Sequence, residues 1–145
     1  MNTGRLEALA RSLAEREQGR RHDRELARQR AERLRVEVEE ALQRFAAAAA
    51  AAGAPHLGHL VAVGPVEPDA KSVRAFQFLV ARGRHEGIVV SKDRGEVMIV
   101  GPYRRSQEQG PCNPVQLRGD ELGGEALDAA LEAFLVALIE QAYAS

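Results

Sequence analysis

The chain has 145 residues, is 45% hydrophobic, and carries charges that nearly cancel, to a formal net charge of −1. Its single cysteine, Cys112, excludes an internal disulfide and a cysteine-based metal cluster. The longest apolar run, the alanine tract at 46–52, is too short and too weakly hydrophobic to span a bilayer, so no membrane partner is expected.

Residues 6–13 carry a short apolar stripe, Leu6, Leu9 and Leu13. Continuing its phase reaches Glu17, Arg20 and Arg24, with Gly19 between them, so residues 16–24 read as solvated helix or a local break. The early acidic residues Glu7, Glu15 and Glu17 do not fit a signal-peptide layout, and a cytoplasmic protein is expected. From Leu26 the pattern sharpens. Ala27, Ala31, Leu34, Val38, Ala41 and Phe45 follow one another at spacings of 4, 3, 4, 3 and 4. That is a heptad seam, and it needs a partner to cover it. Its alanines favour close helix approach, while Leu34, Val38, Leu42 and Phe45 supply apolar area. Glu40 and Arg44 stand in the favourable order for an i,i+4 ion pair. The tract 46–52 has high helix propensity, and Gly53 followed by Pro55 stops the helix.

Residues 54–70 read as a connector with one short strand at 60–63, punctuated by Gly58, Gly64, Pro65 and Pro68. Residues 71–82 are the first substantial strand. Phe76, Phe78 and Val80 alternate with Gln77, Leu79 and Ala81, giving one core face and one half-buried face. Gly83-Arg84 leads into a second strand at 85–91. Lys92-Asp93-Arg94-Gly95 has the composition of a type I turn closed by a left-handed glycine, and a third strand follows at 96–100. Residues 101–110 are polar and, with Pro111, Pro114 and Gly119, argue against regular structure except for an edge strand at 115–118. The last helix runs from 123 or 124 to 144. Its stripe, Leu127, Leu131, Phe134, Leu138 and Ala142, is widened by Ala130, Leu135 and Ile139, as covering a sheet face requires.

Charge is unevenly placed. Residues 71–118 carry nine basic and four acidic side chains, whereas residues 119–145 carry six acidic and no basic ones. The asymmetry favours the last helix lying beside the basic segment, within one chain or across a dimer.

Chemistry-bearing residues are sparse. His56 and His59 flank Gly58 without further ligands nearby, and His85 and Glu86 point to opposite faces of a strand. Cys112 has no local base to make it a nucleophile. No metal site, cofactor or catalytic residue is assigned. The patch singled out is basic: Arg94, Arg104, Arg105 and Arg118, with Lys92 and Tyr103, would contact an anion or nucleic acid if they gather at one end of the sheet.

These readings specify an α+β fold with a long coiled-coil-like N-terminal helix, a three- or four-stranded antiparallel meander, and a C-terminal helix packed on the sheet. Residues 1–53 form the oligomerisation segment and 54–145 a small α+β domain. The expected role is a non-enzymatic oligomeric structural or protein-interaction module, a dimer in preference, with Leu34, Val38 and Phe45 at the interface. The alternative is a dimer that binds nucleic acid weakly and without sequence preference.

Overall fold

A computed structural model describes residues 4–59, 61–69, 72–107, 111–116 and 124–144. Helix α1 (Gly4–Ala51) is followed by a 3-10 turn at Pro55–His59 and six strands: β1 (Ala62–Val63), β2 (Glu67–Asp69), β3 (Ser72–Arg82), β4 (His85–Lys92), β5 (Glu96–Arg104) and β6 (Cys112–Gln116). Helix α2 (Glu125–Ala144) closes the described chain. The sheet is antiparallel, in the order β1-β3-β4-β5-β6, with β2 also paired to β3. The expected α+β architecture is present, with α2 packed on the sheet.

Helix α1 runs unbroken for 48 residues, about 72 Å at 1.5 Å per residue. Gly19 does not interrupt it, so residues 16–24 are solvated helix. The helix ends where its composition demands: Gly53 takes a positive φ of 88°, which costs a residue without Cβ little. The heptad seam is covered, but by the chain's own sheet. Ala27, Ala31, Leu34 and Val38 are buried, and Leu34 and Val38 join one core with Phe78, Val80, Val89, Val97, Ile99 and the apolar stripe of α2. A three-to-four periodicity needs an apolar surface, and a sheet face supplies one as well as a second helix does. Two of the three residues assigned from the sequence to an interface between copies, Leu34 and Val38, are therefore buried within one chain. Phe45 is only half-buried, at the surface between the helices.

Polar contacts fix the same docking. Arg30 donates to Ser91 Oγ at 3.3 Å and to the Lys92 carbonyl at 3.2 Å, and Arg35 Nε donates to the Gly64 carbonyl at 2.7 Å. The Arg24 guanidinium lies 5.3 Å from the centre of the Phe76 ring. Arg35 also pairs with Glu39 at 2.9 Å; this is the ion pair formed on that part of the helix, rather than the expected Glu40–Arg44.

Strand boundaries depart from the sequence reading in informative places. Leu60 lies outside the described residues, and the first short strand is Ala62–Val63. Glu67–Asp69, assigned to the connector, adds to β3 with a register shift at Pro68 and Asp69. The turn at 92–95 is as expected: the Gly95 amide donates to the Lys92 carbonyl at 3.1 Å, and Gly95 has a φ of 86°. The third strand was expected to stop at 100 but continues to Arg104. A register shift between Glu86 and Ile88 accommodates Gly101, whose φ is 110°, and pairing resumes with Tyr103 opposite Glu86. The edge strand is shifted to Cys112–Gln116, where Pro114 costs no ladder bond on the unpaired side. Arg118 lies outside the described residues.

Candidate interaction surfaces

Both helices occupy one face of the sheet, so the alternation of β3, β4 and β5 decides what the other face shows. Register places Leu79, Ile88, Val100 and Cys112 in one transverse row, and Gln77, Val90, Met98 and Pro114 in the next. Leu79 is 38% exposed, Ile88, Met98 and Val100 are half-buried, and Val90 is buried between its neighbours. Among the described residues, no helix or further strand covers this face. A concavity of about 760 Å³ runs along it, with Ile88, Val90, Met98 and Val100 as its apolar floor. At one end stand Arg74, Lys92 and Arg94, interspersed with Asp69 and Asp93. Both signs of charge are thus present on one rim. Lys92 Nζ meets Glu96 Oε1 at 3.3 Å there.

The structure does not gather the basic residues that the sequence reading grouped. Arg94 sits in the β4–β5 turn, and Arg104 and Arg105 lie at the far end of β5, about 25–30 Å away at the rise of a β-strand. The expected single anion-binding end is corrected accordingly. Arg105 is partly committed: its Nε lies 3.5 Å from Glu86 Oε2, and its Nη2 donates to the Gly83 carbonyl at 3.4 Å. Beside it, the Tyr103 phenol is held above its ordinary pKa by burial, and further by the Glu86 carboxylate that accepts its hydrogen bond.

A second concavity, of about 580 Å³, separates α1 from α2. Phe45, Leu131, Leu135 and Ile139 supply apolar walls, while Glu37, Glu40, Asp128 and Glu132 make its rim acidic. Glu37 has its pKa raised, first by burial and then by the like charge of Asp128.

The N-terminal half of α1 extends beyond the sheet. Leu6, Leu9 and Leu13 are 61%, 52% and 49% exposed. They belong to an arm of roughly 20 residues, about 30 Å long, in which no residue is buried.

The histidine and cysteine readings can also be placed. His56 lies in the 3-10 turn, Cys112 is exposed at the start of β6, and among the described residues no group of three or more His, Cys, Asp or Glu is positioned to hold a metal ion. No described helix is long and apolar enough to cross a membrane. The sequence reading missed the environment of His85, which is buried rather than exposed at a strand end. Its only sequence signal was its position opposite Arg82 across a two-residue turn.

These features define an α+β protein with one sheet face filled by helices and the other uncovered among the described residues. No protein-family model, curated protein or solved structure matches the chain significantly.

Proposed function

We propose that this chain is a non-enzymatic, self-associating interaction module in the cytoplasm, in which two copies meet through the open faces of their sheets. The observation that carries this reading is the pair of apolar cross-strand rows, Leu79–Ile88–Val100 and Val90–Met98, on a face that no described element covers. Antiparallel sheets are stable with one wet face, but that face is then ordinarily polar in alternation; here its middle is aliphatic.

A second copy is the occupant that the rim favours. Asp69 and Asp93 stand among Arg74, Lys92 and Arg94, so a second copy brings both signs of charge to this rim without a foreign partner. Four strands about 4.8 Å apart and about 25 Å long present about 500 Å² on each copy, about 1,000 Å² for the pair, the size of a weak, reversible interface. Because Leu34 and Val38 of the α1 seam lie in the core of their own chain, we take the sheet face as the contact and leave the exposed arm outside the paired sheets. The alternative of nucleic-acid binding gains no support, since Arg94 lies at one end of the sheet and Arg104 and Arg105 at the other.

Replacing Ile88 and Met98 together by glutamate places four like charges in the middle of the paired faces and is expected to yield monomers, read by light scattering, with an unchanged far-UV circular dichroism spectrum. A folded double variant with the same mass per particle as the unmodified chain would show that the sheet face is not the contact.

A further inference from the structure

The end of the sheet opposite the charged rim holds a pocket of about 380 Å³, lined by His85, Pro102, Tyr103, Arg104, Gln107, Pro111 and Gln141. Two buried side chains make it unlike the rest of the surface. His85 is 6% exposed, and its Nδ1 is buried with no hydrogen-bond partner among the described residues. Arg82, its register partner across the β3–β4 turn, is 4% exposed. The Arg82 guanidinium donates to the Ile139 carbonyl at 3.1 Å, but among the described residues no carboxylate lies within ion-pair distance of it. Buried polar atoms are almost always hydrogen-bonded and buried cations almost always paired, so this corner of the fold holds an unpartnered imidazole nitrogen beside a cation that no described carboxylate neutralises. Among the described residues, Arg82, Arg84, Arg104 and Arg105 gather around the β3–β4 turn and the end of β5, and the Glu86 carboxylate there is already engaged by Arg105 and Tyr103.

We propose that this pocket binds the phosphate group of a small molecule. Arg104, exposed on the wall, supplies a planar fork of donors that matches a tetrahedral oxyanion. The Gln107 and Gln141 amides add neutral donors, and the imidazole of His85 faces the ligand from the buried side. Arg82 stands behind as a fixed positive charge that water screens weakly. The volume suits a small ligand rather than a polymer. Free phosphate and a sugar phosphate share this chemistry. The proposal is independent of self-association, because none of the residues lining this pocket belongs to the two aliphatic rows of the open face.

The test follows the His85 imidazole resonances by NMR, assigned by their loss in His85→Asn, while inorganic phosphate and then a sugar phosphate are titrated into the full chain. A saturable shift is expected, weakened about tenfold or more in Arg104→Ala, since a charge-assisted pair is lost, and unchanged in Arg11→Ala on the exposed arm. Tighter binding of the sugar phosphate would identify an organic ligand, and equal binding free phosphate; both support the site. A response no greater than that to sodium chloride at equal ionic strength, no saturable shift at all, or undiminished binding by the Arg104 variant would overturn it.

Discussion

Replacing Phe134 with alanine is expected to lower the unfolding free energy by about 3–5 kcal/mol, among the largest losses any single truncation in this chain would produce. The ring is buried in the shared core and seats on Gly87, where a Cβ would overlap the ring itself. Strand and helix are thus cut to each other: the glycine on β4 removes a side chain so that an aromatic ring on α2 can reach the backbone. Truncation leaves a hole that Gly87 cannot help to fill, and close-packed interiors relax only partly around such a hole. Urea unfolding measures the loss. A value below about 1 kcal/mol would mean that α2 rides on the periphery of the sheet.

Leu34→Ala is expected to cost about 2–5 kcal/mol on the same scale, and its interest lies in where the cost appears. Leu34 packs in one core with the sheet of its own chain, so the loss should persist in the monomeric Ile88→Glu/Met98→Glu background. A seam buried between copies would show no such loss once the copies are apart. Measuring the variant in that background separates packing within the chain from packing across a dimer, which the heptad spacing alone leaves equivalent.

That equivalence explains how far the sequence could be read. Period and propensity made the elements legible: the stop at Gly53, the turn closed by Gly95, the alternation of Phe76, Phe78 and Val80, and the apolar arc of α2 are local properties of neighbouring residues. What covers a stripe is not local. A heptad seam and a helix lying on a sheet both require an apolar residue every three or four positions, and the spacing of Ala27 to Val38 satisfies either. The grouping of the basic residues at one end departs from the structure for the same reason. Arg94, Arg104 and Arg105 are close in sequence and share a polar character, but β5 runs nine residues, Glu96–Arg104, and carries them to opposite ends of the sheet. Its continuation past Val100 depended on a register shift opposite Gly87, a pairing event with no signature in residues 101–104 themselves. His85 was undervalued because burial of a strand end depends on the helix that later crosses it.

The uncovered apolar rows of the sheet remain the centre of the functional reading, and their consequence is a mass. Light scattering of the unmodified chain across about 10–100 µM, the range in which an interface of modest area should be populated, tests it directly. The expected result is a particle of twice the 15.8 kDa of one chain; a particle of one chain's mass throughout that range would contradict it.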